Sequence, residues 1–171
     1  MIATRGGGCF RSSDGGGTWQ EASAGLASPR LLCITQRSAA RPDVFVALEP
    51  PGGIWRSTAR GSSWSKSSSG IPANALVTDI AYSTESAQIM FAASSAGLFR
   101  SMDGGVNWSV ISTAGVRAVL TLPSGRLLAG TAAGDILLST DGGNSFTVVS
   151  STAGTVVNNF GHDPQSPPVI Y

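Results

Sequence analysis

Few side chains in this sequence could do chemistry. Among 171 residues there are 10 Asp and Glu, one histidine, His162, and two cysteines, Cys9 and Cys33. Glycoside hydrolysis needs two carboxylates held at a fixed separation. Outside one recurring motif the acids available for it are Glu49, Asp79, Glu85, Asp135 and Asp163. Asp79 is the one to suspect first, because it falls in an apolar run, Val77-Thr78-Asp79-Ile80-Ala81-Tyr82, that reads as an inner strand. The corresponding runs carry Cys33, Ala118 and Asn159 there, so no repeat requires the acid, and a satisfied core or channel Asp is the plainer reading. Acyl transfer would need His162 beside an activated serine, and no Gly-x-Ser-x-Gly elbow is present. His162 therefore reads as a loop residue at the end of a strand. The cysteines form no metal-ligand spacing; Cys9 aligns with Ile54, Leu98 and Ile136 as a small core residue, and two free thiols are expected. No metal site and no cofactor follow from these residues.

Three further acids belong to the recurring motif. Ser12-Ser13-Asp14-Gly15-Gly16-Gly17-Thr18-Trp19 returns as Ser101-Met102-Asp103-Gly104-Gly105-Val106-Asn107-Trp108 and as Ser139-Thr140-Asp141-Gly142-Gly143-Asn144-Ser145-Phe146. A degenerate copy, Ser57-Thr58-Ala59-Arg60-Gly61-Ser62-Ser63-Trp64, lies between the first two. The starts at 12, 57, 101 and 139 are spaced by 45, 44 and 38 residues. Each position has a folding task. The carboxylate of Asp14, Asp103 or Asp141 can accept backbone N–H bonds within its own turn. Gly16, Gly61, Gly105 and Gly143 supply positive φ. Trp19, Trp64, Trp108 and Phe146 restart the chain as a strand and bury a ring. The second copy has Ala59 for Asp and Arg60 for the first Gly, which predicts a looser hairpin. A calcium loop is the weaker alternative, because the alternating Asp/Asn ligands and terminal Glu are missing.

The elements around these boxes are short strands. Before each box comes Gly-x-x-Arg or its equivalent: Gly8–Arg11, Gly53–Arg56, Gly97–Arg100 and, with Leu138 in the arginine's place, Gly134–Leu138. Further back lie Val44–Leu48, Ile89–Ala93 and Leu127–Thr131, and before those Leu31–Thr35, Val77–Tyr82, Val116–Leu120 and Val156–Phe160. A fourth strand follows each box. No stretch shows helical periodicity free of Gly or Pro. The chain reads as all-β: four-stranded antiparallel units at the period of a propeller blade. The recurring Arg11, Arg56 and Arg100 suggest a packing or salt-bridging role with a long aliphatic stem.

The boxes resemble the BNR, or Asp-box, repeat of β-propellers, and Phe160–Tyr171, with Asp163-Pro164 and Pro168-Val169-Ile170-Tyr171, is similar to the link between the first two strands of such blades. Sialidases, xyloglucan-degrading glycosidases, sortilin-type receptors and photosystem II assembly-factor-like proteins share the repeat. It implies the fold, and a secreted or periplasmic setting, without fixing a function. A sialidase-like site would need an arginine triad, an acid/base Asp and a Tyr–Glu pair. The arginines here are scattered, no Arg-Ile-Pro is present, and Tyr82 with Glu85 sits at the wrong end of an inner strand. The opposite face, which usually binds ligand in such proteins, would present Arg5, Glu49, Pro50, Pro51, Ser94, Ser95 and Asp135, with Pro29, Arg30, Pro72, Asn74, Arg117 and Thr155 from the links; no constellation is evident among them.

Composition narrows the partners. Net charge is +1 with 12% charged residues, and Lys66 is the single lysine. This argues against a nucleic-acid binder working through a basic patch. No apolar stretch is long enough for a membrane span, and Met1–Gly8 has no apolar signal region. The repeats divide as 1–25 (a partial blade), 26–70, 71–114, 115–154 and 155–171, the last beginning a further blade or completing the first. The expectation is a propeller segment, non-catalytic, serving as a binding or scaffold module for a protein or carbohydrate ligand. An Asp-box glycosidase fragment and a receptor-type ectodomain segment are the alternatives. A cut inside a strand at both ends favours part of a longer propeller over a closed four-blade ring or a pair of chains forming eight blades. Open terminal blades would also expose apolar faces to self-association.

Overall fold

The computed structural model describes residues 1–36, 42–163 and 169–171. The Pro-rich part of the link, 164–168, lies outside them. Among the described residues there are no helices. The strands are β1 (Ile2–Thr4), β2 (Gly8–Arg11), β3 (Gln20–Glu21), β4 (Leu31–Gln36), β5 (Val44–Leu48), β6 (Gly53–Ser57), β7 (Ser65–Lys66), β8 (Val77–Tyr82), β9 (Met90–Ser94), β10 (Gly97–Ser101), β11 (Ser109–Ser112), β12 (Val116–Thr121), β13 (Leu127–Thr131), β14 (Asp135–Ser139) and β15 (Thr147–Ser151). They form β1-β2-β3 and three four-stranded sheets, β4 to β7, β8 to β11 and β12 to β15, each in sequence order. All neighbours are antiparallel. This is a partial β-propeller of four blades. The box lies in the hairpin between the third and fourth strand of every blade.

Strand periodicity explains the stacking. Successive side chains point to opposite faces, so each second strand feeds two cores. From β5, Val44, Val46 and Leu48 join Cys9, Leu31 and Trp64 between the first and second blades. Phe45 and Ala47 join Val77, Ile80, Met90, Ala92 and Trp108 between the second and third. From β9, Phe91 and Ala93 join Val116, Val119, Leu127 and Ala129 between the third and fourth. Covered on both faces, β5, β9 and β13 are buried at every residue and read as apolar runs without alternation. β15, at the outer edge of the last blade, is exposed along its length.

The innermost strands β4, β8 and β12 each slip register at the same place: between Leu31 and Cys33, Val77 and Asp79, and Val116 and Ala118. The extra residue is a β-bulge, which re-aims the next side chain. Thr78, in one bulge, donates to the Arg117 carbonyl in the next at 2.8 Å. The last residues form a short pairing of their own. Gly161 and Tyr171 exchange N–H···O bonds at 3.0 and 2.9 Å, and His162 lies opposite Ile170.

Candidate functional site

The boxes close on themselves. Ser12 Oγ donates to Asp14 Oδ1 at 2.7 Å and accepts the Gly16 N–H at 2.8 Å. Asp14 then accepts the Thr18 N–H at 2.9 Å and the Thr18 hydroxyl at 2.6 Å. Asp103 repeats this with Asn107, and Asp141 with Ser145. These donors favour the ionised form. The Asn107 N–H and amide, with help from Ser101 and Val106, bring Asp103 down to about 2. The Thr18 and Ser145 hydroxyls and N–H groups hold Asp14 and Asp141 lower still. In the degenerate copy Ser57 still accepts the Ala59 and Gly61 N–H groups, but no carboxylate gathers the rest of the turn. Arg60, at φ 54°, takes the left-handed conformation that Gly104 takes at φ 73°.

The same hairpins join blade to blade. The Trp64 indole N–H donates to the Ala22 carbonyl of the preceding blade at 2.7 Å, and that of Trp108 to the Ser67 carbonyl at 2.9 Å. The second Gly of the last three boxes, Gly61, Gly105 and Gly143, sits against the blade before it. A Cβ at Gly105 would come 2.5 Å from the Phe45 ring, and one at Gly143 would press on Ile111 and Phe91. The recurring arginine points the other way. Arg100 donates to the Gly142 carbonyl of the next box at 2.8 Å, and Arg11 to the Arg60 carbonyl at 3.5 Å. Arg56 instead pairs with Asp43 at 3.1 Å and lies over the Phe45 ring. Trp19 has no preceding blade to meet. Its indole bonds within its own box, to Gly16 at 3.1 Å, and it is 44% exposed where Trp64 is 7% and Trp108 is 3%.

Asp79 lies just past the bulge of β8, facing the next inner strand. Oδ1 accepts the Ile80 N–H and Oδ2 the Val119 N–H, both at 2.9 Å. Burial raises its pKa more than these two bonds lower it. Cys33 stands at the matching position of β4; burial, then the Asp79 charge, pushes its thiol up to about 12. Cys9 is raised to about 11 by burial, and both cysteines are free. Two other candidate acids are bonded away from Asp79. Glu85 accepts the Ser124 N–H at 2.7 Å, and Asp135 the Ser151 hydroxyl at 2.6 Å. Asp79 is therefore not brought to a second carboxylate by any contact seen here. Among the described residues no His/Cys/Asp/Glu group could hold a metal ion. Tyr82 packs edge-on against Phe45 at 6.1 Å.

One cluster was not visible in the sequence. On the face opposite the boxes, Glu49 Oε1 takes Arg5 Nε at 3.0 Å and Oε2 takes Arg30 Nη1 at 3.3 Å. Hydrogen bonds from Arg5 and then Arg30 hold the Glu49 carboxyl below its usual value. Beside it, Ser28, Arg30, Glu49, Pro50, Pro51 and Trp55 line a depression of about 300 Å³. The three charged residues are 44 and 19 positions apart and meet only because the first two blades stack. The local signal was that Arg5 and Glu49 each directly follow a second strand, and Arg30 directly precedes β4.

No family model matches the chain, and no curated protein matches it. Solved structures do. A GH74 enzyme from Niastella koreensis aligns with TM-score 0.71 and 17% identity over 92% of this chain. YCF48 bound to D1 peptide aligns with TM-score 0.63 and 16% identity over 78%. The extracellular domain of BT4673 from B. thetaiotaomicron aligns with TM-score 0.66 and 14% identity over 86%. The chain spans 30%, 45% and 21% of those proteins, respectively. At such identities the likeness is one of fold: these neighbours are propellers, some enzymes and some not. Among the described residues no helix is long and apolar enough to cross a membrane.

Proposed function

We propose that the chain is a non-catalytic segment of an Asp-box (BNR) propeller that serves as a binding or scaffold module. The observation that carries this reading is the fate of the carboxylates. Asp14, Asp103 and Asp141 spend both oxygens inside their own turns. Asp79 gives each oxygen to a backbone N–H. All four act as fold-building acceptors. The recurrence of one bonding pattern in three boxes supports the Asp-box assignment, with repeats at 26–70, 71–114 and 115–154. The ligand face is the one opposite the boxes, around Arg5, Arg30, Glu49, Pro50, Pro51 and Trp55. A polar rim and an indole beside two prolines suit an extended peptide or a sugar. The peptide-bound state of YCF48 supports the former. A secreted or periplasmic setting follows from the Asp-box resemblance.

The test is hydrolysis of a fluorogenic sialoside and of xyloglucan by the chain, with binding of xyloglucan oligosaccharide and a peptide library read in parallel. No turnover is expected, and binding should weaken on Glu49→Gln or Trp55→Ala. The second reading, a fragment of an Asp-box glycosidase, is favoured by one observation: Asp79 is an acid with a raised pKa on an innermost strand. Turnover that disappears in Asp79→Asn would establish that reading and remove the first.

A further inference from the structure

We propose that the joint between the third and fourth blades is a binding pocket for a tyrosine side chain of a partner peptide. The pocket lies among box residues, on the face away from the depression beside Glu49. Its form is best seen against the joint before it, because corresponding residues line the two. Between the second and third blades these are Asp43, Phe45, Arg56, Tyr82, Gln88 and Gly104. Between the third and fourth they are Ile89, Phe91, Arg100, Thr121, Gly125 and Gly142. The register makes the match. Phe45 opposes Arg56 as Phe91 opposes Arg100, and Tyr82 opposes Met90 as Thr121 opposes Leu127. The Gln88 and Gly125 carbonyls accept the N–H of the first glycine in their own blade's box, Gly104 and Gly142.

The earlier joint is filled by the chain itself. The Tyr82 ring stands edge-on to Phe45, centroids 6.1 Å apart and planes at 79°. Asp43 holds Arg56 at 3.1 Å, and the guanidinium carbon lies 5.6 Å from the centre of the same Phe45 ring. A cavity of about 50 Å³ remains. In the later joint the ring and the acid are gone. Thr121 replaces Tyr82, Gly125 replaces Gln88, and Ile89 replaces Asp43. With no acid at that position, Arg100 is held instead by the Gly142 carbonyl and the Asn144 side-chain oxygen at 2.8 and 3.0 Å. The space left is about 230 Å³, and an apolar cavity of ~150 Å³ is enough for a benzene ring. Among the described residues Phe91 has no counterpart to the edge-on ring that Phe45 meets, the geometry that aromatic pairs favour.

The rim adds a residue that the box does not require. Met102 lines the pocket and is 60% exposed. The other boxes carry Ser13, Thr58 and Thr140 at that position. A thioether there gives an entering ring a soft, adaptable contact. The exposed Glu85 and Arg126 supply one charge of each sign, and neither is in an ion pair among the described residues. Asp141 also lines the pocket, its oxygens engaged by the Ser139 and Ser145 hydroxyls. A rim balanced in charge suits the amides of a neutral peptide rather than an anionic ring.

Titration of the 171-residue chain with an acetylated and amidated Gly-Tyr-Gly peptide tests this, read by the saturable shift of the peptide and Met102 methyl resonances. One site is expected, with the Met102 methyl moved by the ring current and a Gly-Ala-Gly peptide without effect. Thr121→Tyr, which supplies the ring from within, should weaken the peptide at least ~10-fold and raise the melting temperature as the cavity fills. Met102→Thr changes an exposed residue to a type other boxes carry. It should weaken binding by a smaller factor, with circular dichroism verifying the fold, and it decides the matter where Thr121→Tyr does not fold. p-Cresol, the ring without its chain, should bind more weakly than the peptide; equal affinity would make this a site for free phenols and overturn the peptide reading. Absence of saturable binding, or binding unmoved by both substitutions, would overturn the pocket. Binding lost in Glu49→Gln but kept in Thr121→Tyr would put the ring on the opposite face, with the same result.

Discussion

At the residue scale the carboxylates divide by what holds them. The box acids are stabilised as anions, and Asp79 is not. Asp103 at about 2, with Asp14 and Asp141 lower, lies below the unfolded value of ~3.9. The folded chain therefore binds fewer protons than the unfolded chain in that window. Their stabilisation is present above the unfolded value and is lost as pH falls through the folded ones. We expect the melting temperature to drop steeply below about pH 4 and the drop to flatten in a variant with all three acids changed to Asn, measured by thermal melts across the acid range. Asp79 has the opposite sign. Its folded value is raised, so ionisation is penalised in the folded state and its contribution declines as pH rises through the window above ~3.9. Asp79→Asn leaves one of two N–H donors, Ile80 or Val119, facing an amide N–H. A loss of about 1–2 kcal/mol in urea unfolding is expected at neutral pH. No change in stability would mean that water replaces the lost acceptor.

At the scale of the element, the two glycines of a box differ in kind. Gly104 needs only the left-handed backbone, as Arg60 demonstrates by adopting it in the second box. Gly105 needs that backbone and also the space against Phe45, where an added Cβ would sit 2.5 Å from the ring. Gly104→Ala should cost about 1 kcal/mol; Gly105→Ala should cost clearly more. Gly16→Ala, at φ 100° in open space, separates strain from packing. If Gly16→Ala and Gly105→Ala destabilise equally, the socket contributes nothing. The second hairpin makes the complementary case. Ala59→Asp with Arg60→Gly restores the carboxylate and relieves the φ of Arg60, and should raise stability by about 1 kcal/mol. In the parent chain, amide exchange in 57–64 should be faster than in 101–108; the reverse order would refute the looser-hairpin account. The sequence predicted these hairpins well, because a box is local and every residue type in it answers to a turn. It predicted the recurring arginines only in part: that Arg11 and Arg100 reach the next box's backbone depends on blade stacking, and Arg56 is diverted by Asp43.

Over the whole molecule, the repeat period and strand order were legible because apolar runs and turn residues recur in register. What a single repeat does not contain was not legible. Arg5, Arg30 and Glu49 meet across two blades from distant positions, and the bulge that turns Asp79 toward β12 leaves no mark in residue type. Stability should be graded along the arc, as nearest-neighbour stacking requires. The β4–β7 and β8–β11 blades, flanked by a blade on both sides, should show the slowest amide exchange, and β1–β3 and β15 the fastest. Uniform protection would argue for closure. The joints between blades have one further property. The Trp64 and Trp108 indoles and the Arg11 and Arg100 guanidinium groups all end on main-chain carbonyls of the neighbouring blade. Every amino acid carries that acceptor, so the receiving blade can change the side chain there and keep the bond. Neighbouring repeats need not mutate in concert, and a unit copied next to a diverged one finds its anchor points already in place. An array jointed this way can drift in sequence, and lengthen by duplication, without passing through a loosened intermediate.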